Sequence, residues 1–210
     1  MDGHELHFGT NHLSHFLLFQ LLTPVLLASS TPSWNSRVIV VSSLIHRFAP
    51  VNLDDPDFKS TPYDPAMAYA SSKCANIWFA NHVERLYGSQ GLHAISLHPG
   101  GIQTGLQDHH DPEYAALMQS TFEQFPELGK TMKSMKQGAA TTVLAAVGRD
   151  FEGKGGIYLD DCAVAPEWVE GRDGIDAPGY RSWAFDEEGE RRLWKVSEGM
   201  VEKPTNMSVI

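Results

Sequence analysis

The chain has 210 residues, 42% of them hydrophobic, and a formal charge of −10. That is enough polypeptide for one domain with a real core, and the acidic balance argues against nucleic acid or an anionic membrane as a partner. Two cysteines, Cys74 and Cys162, without metal-ligand spacing point to a reducing compartment. The start Met1-Asp2-Gly3-His4-Glu5 has no basic leader, so a cytoplasmic protein is expected.

Leu6 to Leu27 carries apolar residues at helical spacing and reads as one long, mostly buried helix with a bend near Pro24. Its most apolar run, Phe16 to Ala28, is short for a bilayer span and contains Gln20 and Pro24, so no transmembrane segment is expected. Ser29 to Ser36 is a loop rich in Ser, Thr and Pro. Arg37-Val-Ile-Val-Val-Ser42 lacks polar alternation, the pattern of a strand buried on both faces of a parallel sheet. His46 to Pro65 is a long irregular connection holding Pro50, Pro56, Pro62 and Pro65. A helix follows from Pro65 to Tyr87 and stops at Gly88.

Leu92 to His98 is a second buried strand, ended by Pro99-Gly100-Gly101. Gly105 to about Thr131, with Tyr114, Phe122 and Phe125, reads as a lid of short helices. Ser134 to Gln137 resembles a capping box opening a helix from Gly138 to Val147. Gly156 to Leu159 is a third strand, and Asp186 to Met200 is an amphipathic surface helix with Leu193, Val196 and Met200 inward. The alternation of helix and strand predicts an open, doubly wound parallel α/β sheet.

Within the second long helix, Tyr69 and Lys73 lie one turn apart on one face. A free phenol has a pKa near 10, and a neighbouring ammonium favours the phenolate and lowers it. Such a pair suits a general acid that protonates a carbonyl oxygen and takes the proton back. A Tyr-x-x-x-Lys pair alone is common on exposed helices; its surroundings decide its meaning.

Four motifs fall in one order: Phe8-Gly-Thr-Asn-His-Leu-Ser-His-Phe16, Arg37-Val-Ile-Val-Val-Ser-Ser43, Tyr69-Ala-Ser-Ser-Lys73-Cys-Ala-Asn76 and His98-Pro-Gly-Gly-Ile-Gln-Thr104. Over roughly Asp2 to Asp161 the chain closely resembles the short-chain dehydrogenase/reductase family. It is most similar to its retinol-dehydrogenase-like and WW-domain-oxidoreductase-like branch. The resemblance implies a Rossmann-like fold. It implies Tyr69 as general acid/base and Lys73 as the residue that lowers its pKa and holds the nicotinamide ribose. Ser43 would orient the substrate oxygen, with Ser42 as runner-up should the strand end shift by one residue. Asn11 would bend its helix and hold a water of the proton relay. Pro99, Gly100, Ile102 and Thr104 would border the nicotinamide. The implied cofactor is NADP or NAD and the substrate a small carbonyl or alcohol. A homodimer through the helices carrying Asn11 and Tyr69 is possible by the same resemblance.

The family's glycine-rich Thr-Gly-x-x-x-Gly-x-Gly turn and its Asn-Asn-Ala-Gly turn have no counterpart among the 210 residues. Gly153-Lys-Gly-Gly156 comes too late and leads into a strand. The chain is therefore expected to be a single incomplete Rossmann-like domain: a catalytic and substrate half with about three strands, and residues 186–210 as terminal helix and tail. It would be inactive alone, supporting only the nicotinamide end. The rival reading is a non-catalytic interaction protein that has lost cofactor binding. His109-His110, between Asp108 and Asp111, invites a metal reading, but adjacent histidines on a loop cannot easily face one ion, and no metal site is expected. No Gly-x-Ser-x-Gly elbow supports a serine hydrolase.

Overall fold

A computed structural model describes residues 3–102, 123, 126, 129 and 131–201. Within them a four-stranded sheet runs in the order β1-β2-β3-β4: β1 Ser36–Val41, β2 Leu92–His98, β3 Ile157–Asp160 and β4 Ala163–Val164. The first three strands are parallel; β4 turns back antiparallel to β3. The sequence had suggested three strands. The fourth is a two-residue return through Asp161 and Cys162, both at positive φ without being glycine, so no ordinary turn signal announces it. The third strand also begins one residue later than expected and ends at Asp160.

The sheet is covered on both faces because its side chains alternate. Val38, Val40, Leu92 and Ala94 meet Phe16, Phe19, Phe79 and Val83 on one side. Ile39, Ile95, Leu97, Ile157 and Leu159 meet Leu144, Ala145 and Phe151 on the other. The first face carries α1 (Leu6–Phe8), α2 (Ser14–Ser29) and α3 (Pro65–Tyr87). The second carries α4 (Met135–Val147). The last helix, α5 (Glu187–Val201), lies outside α3, with Leu193 against Trp78 and Trp194 against Phe16 and Phe79.

Two helices depart from expectation. Ser134 caps α4 through a complete capping box, so the helix starts at Met135 and not at Gly138. The helical run from Leu6 to Ser29 is less buried than expected. Phe16 and Phe19 are covered, but Leu18, Leu21, Leu22 and Val25 are 51%, 70%, 41% and 57% exposed. This run has 24 residues and a mean hydropathy of 1.4 over an 18-residue window, long and apolar enough by those measures alone to cross a bilayer. Its packing of Phe16 and Phe19 into the core makes it a covering helix whose outer face is also apolar. Pro24 sits within α2 without ending it.

Candidate active site

The helix α3 starts where the sequence places its signals. Asp64 accepts from the amides of Ala66 and Met67, and Pro65 takes the first turn, where a missing N–H costs nothing. The next turns carry the pair. Lys73 Nζ lies 5.7 Å from the centroid of the Tyr69 ring. Burial lowers the Lys73 pKa from its ordinary value. The His7 ring stands edge-on to Tyr69 with centroids 5.5 Å apart.

Asn11 sits in a π-helical turn, Gly9–Leu13, between α1 and α2. Such turns widen a helix locally, the distortion expected at this residue. Asn11 Nδ2 donates to Ser72 Oγ at 2.9 Å, and Ser72 Oγ donates to the Tyr69 carbonyl at 2.8 Å. A two-bond bridge thus ties the Asn11 turn to the Tyr69 turn. The Asn11 carbonyl faces His15 Nδ1 at 3.2 Å; a carbonyl only accepts, so Nδ1 carries the proton there.

The two serines have different partners. Ser42 Oγ donates to the Lys73 carbonyl at 2.6 Å, so its proton is spent on the backbone of α3. Ser43 Oγ accepts from the Ile45 amide at 3.3 Å, as N-cap of the short 3-10 turn Leu44–Arg47, which leaves its hydroxyl hydrogen for another acceptor. That turn is fastened from its far end. His46 Nδ1 donates to the Ser43 carbonyl at 2.6 Å, and burial holds the imidazole neutral with a pKa lowered to about 4. The buried Arg47 guanidinium donates to the carbonyls of Ile175, Ala177 and Gly179 and lies over the Trp168 ring. Trp183 Nε1 donates to the His46 carbonyl at 3.0 Å.

Pro99 and Gly100 follow the carboxyl end of β2, where ligands gather in open α/β sheets. Gly100 sits at φ +99°, and a Cβ there would meet the Lys133 side chain at 2.5 Å. Ile102 bridges to Lys133 and packs against Gly138 at the start of α4. Thr104, most of the expected lid, and His109-His110 lie outside the described residues. Beside this turn, His98 and Asp160 are register partners at the ends of β2 and β3. Burial, with Lys133, Arg47 and His46 nearby, lowers His98 to about 3. Burial raises Asp160 to about 6 against the Gly179 amide and Arg47.

Asn11, Lys73 and Asn76 stand at one end of a cleft of about 390 Å³ that runs along the outer edge of β1 under α2. Ser72, Asn76, His46 and Arg47 were missed as site residues. Ser72 and Asn76 follow Tyr69 at three and seven residues on the same helix, a signal that was available. The partners of Arg47 lie about 130 residues away in the chain, and no spacing rule reaches them.

Fold and site together define a Rossmann-like α/β protein built around a Tyr-x-x-x-Lys helix. No family model matches the chain. Curated proteins do. The short-chain dehydrogenase/reductase prx1 of Penicillium roqueforti is 47% identical over 201 residues, 96% of this chain and 57% of its own length. Retinol dehydrogenase 14 of Mus musculus is 34% identical over 95% of this chain and 53% of its own length. The WW domain-containing oxidoreductase of Pongo abelii is 34% identical over 96% of this chain and 45% of its own length. An uncharacterised protein from Mycobacterium paratuberculosis, solved by crystallography, superposes with a TM-score of 0.61 at 26% identity, over 95% of this chain and 60% of that one. The Pseudomonas aeruginosa RhlG/NADP complex shares the fold, with a TM-score of 0.54 at 19% identity over 73% of this chain and 54% of that one. The chain belongs to the short-chain dehydrogenase/reductase family. It spans under three-fifths of the length of prx1.

Proposed function

We propose that this chain carries the proton-transfer half of an oxidoreductase that moves a hydride between NADP(H) or NAD(H) and a carbonyl or alcohol. The observation that carries the reading is the joined pair of turns. Tyr69 and Lys73 share one face of α3, and Asn11 is bound to the Tyr69 turn through Ser72. The nicotinamide supplies the hydride chemistry when bound, and the residues supply placement and one proton.

Tyr69 gives its phenolic proton to the carbonyl oxygen in reduction and recovers it in oxidation. Lys73 stabilises the phenolate and would hold ribose hydroxyls. Ser43, with its hydroxyl hydrogen uncommitted, orients the substrate oxygen. Ser42 is already engaged with the Lys73 carbonyl and cannot serve both. Pro99, Gly100 and Ile102 would border the nicotinamide. A fold neighbour that is an NADP complex supports this class of cofactor.

The test grafts this chain into its 47%-identical relative in place of the segment it matches, assayed with NADPH and NADH against aldehydes and ketones. Tyr69→Phe should lower turnover roughly 10²- to 10⁴-fold while nucleotide binding persists. Near-normal turnover in Tyr69→Phe would remove the assigned role. Loss of nucleotide binding in that variant would show a structural role for the ring.

A further inference from the structure

We propose that His46 and Arg47 are positioning residues for Ser43, which rests on the reading of Ser43 as the group that orients the substrate oxygen. They fasten the turn that sets the serine hydroxyl to residues 165–183, so that serine and segment form one unit. The contacts start at the serine. Its carbonyl accepts twice from His46, from the backbone amide at 3.1 Å and from Nδ1 at 2.6 Å. Its Oγ accepts from the Ile45 amide at 3.3 Å, which holds the side chain against the turn. The other ring nitrogen of His46, Nε2, accepts from the Arg181 amide at 3.4 Å. A carbonyl only accepts and an amide only donates, so the two contacts select one tautomer, with the proton on Nδ1. Burial keeps that ring neutral, with its pKa lowered to about 4. One imidazole thus joins the backbone of Ser43 to the backbone of Arg181.

Arg47 repeats the link from the next position. Its buried fork donates to the carbonyls of Ile175 at 3.2 Å, Ala177 at 2.7 Å and Gly179 at 2.8 and 3.1 Å. The Trp183 indole closes the far end of the segment on the His46 carbonyl at 3.0 Å. The Gly179 amide donates to Asp160 at 3.3 Å, at the carboxyl end of β3. The segment therefore stands beside the strand ends where ligands gather. It is also braced within itself. The Trp168 amide donates to the Tyr180 carbonyl at 2.7 Å, and the Tyr180 amide to the Pro166 carbonyl at 3.0 Å. Arg47 and Arg181 both lie over the Trp168 ring, 5.2 and 5.4 Å from its centroid. A substrate that presses on this wall is felt at Ser43 through His46 and Arg47. A reacting group misplaced by about 1 Å can lose about 10²-fold in rate, so a loosened link is read in turnover.

The graft that tests the proposed function also tests this link. His46→Asn keeps a donor near the place of Nδ1 and loses the acceptor at Nε2; His46→Gln does the reverse. Each should lower kcat about tenfold or more and leave the KM for nucleotide unchanged. In a Ser43→Ala background neither should lower kcat further, because the group they position is gone. Losses that multiply in the double variants would show a general structural role and overturn the proposal. A Ser43→Ala graft with near-normal turnover would remove the role of Ser43 itself, and the proposal with it. Hydrogen exchange of the 210-residue chain tests the link without any activity. Arg47→Lys keeps the charge but not the fork. Exchange should rise together, about tenfold or more, at the amides of His46 and Phe48 and at those of Gly179 and Tyr180, while β2 stays protected. Where β2 also loses protection, His46→Asn, which leaves Arg47 in place, is read in the same way. A rise confined to one of the two places would overturn the proposal.

Discussion

Lowering the pH from 7 to 5 should destabilise this fold steeply, through three histidines held neutral inside it. His12 has its pKa lowered to about 3 and His98 to about 3, both mainly by burial, and His46 is lowered to about 4. Each lies near 6.5 when unfolded. A base with a depressed folded pKa gives stability that is present above its unfolded pKa and is lost as pH falls. The window here runs from about 6.5 down to about 4 for His46 and about 3 for His12 and His98. Each histidine costs roughly 2 kcal/mol by pH 5, close to 6 kcal/mol for the three. Asp160 works in the opposite sense. Raised to about 6, it is destabilising when ionised, and its protonation returns roughly 1 kcal/mol over the same interval. The net loss is about 4–5 kcal/mol, a large part of the 5–15 kcal/mol typical of a domain. Urea unfolding followed by circular dichroism at pH 7, 6 and 5 measures it. His12 lies among the rings of Phe8, Phe16 and Phe79, so His12→Phe should fold and flatten the slope by about 1.4 kcal/mol per pH unit. A stability that stays flat from pH 7 to 5, or a slope untouched by His12→Phe, would refute the reasoning.

The 210-residue chain alone should bind nicotinamide mononucleotide about as tightly as NADPH, both in the millimolar range. A glycine-rich phosphate turn is absent from its sequence, and three lost charge-assisted hydrogen bonds weaken binding by roughly three to six orders of magnitude. Saturable micromolar binding of NADPH in a fluorescence titration would show a phosphate site elsewhere in the chain. Glu190→Leu should cost roughly 2–4 kcal/mol of stability in thermal unfolding. The carboxylate is fully buried and accepts from Asn81 Nδ2 and Arg85 Nε, both at 2.9 Å. An unchanged midpoint would mean that water replaces it.

What could be read from the chain beforehand follows from how local each signal is. The helix carrying Tyr69 was legible at both ends because Asp64, Pro65 and Gly88 punctuate it. The strand Leu92–His98 was legible because Leu92, Ala94, Ile95 and Leu97 crowd into a short segment between Gly91 and Pro99. By contrast, β4 is two residues long and can show no period. The burial of α2 was misjudged for a different reason. Periodicity locates an apolar stripe, but a helix that is apolar all round looks alike whether its outer face is covered or not. At the site, Asn11, Ser43, Tyr69 and Lys73 were named from motifs. Their fastenings were not, since Ser72, His46 and Arg47 act through partners fixed only by the folded chain.

The distribution of these fastenings suggests which part of the site moves. The Tyr69 turn is gripped through Ser72, whose hydroxyl bridges to Asn11 at 2.9 Å. The Asn11 turn is gripped in its own right by its neighbour His12. Ser197 Oγ donates to the Leu193 carbonyl, so His12 Nε2 must be the donor in its 2.7 Å contact with that hydroxyl. The outer helix α5 thereby holds the π-turn against the core. The backbone of Lys73 is gripped by Ser42 at 2.6 Å. Its ammonium, by contrast, rests on the Val41 carbonyl at 3.3 Å, a long contact that Asn76 shares. A charged donor on a flexible stem gains little from such a bond and gains more from a better acceptor. Lys73 is therefore the one member of the group that can exchange its partner without disturbing the rest. A ribose hydroxyl would change where it points, while Tyr69 and Asn11 stay where their neighbours hold them.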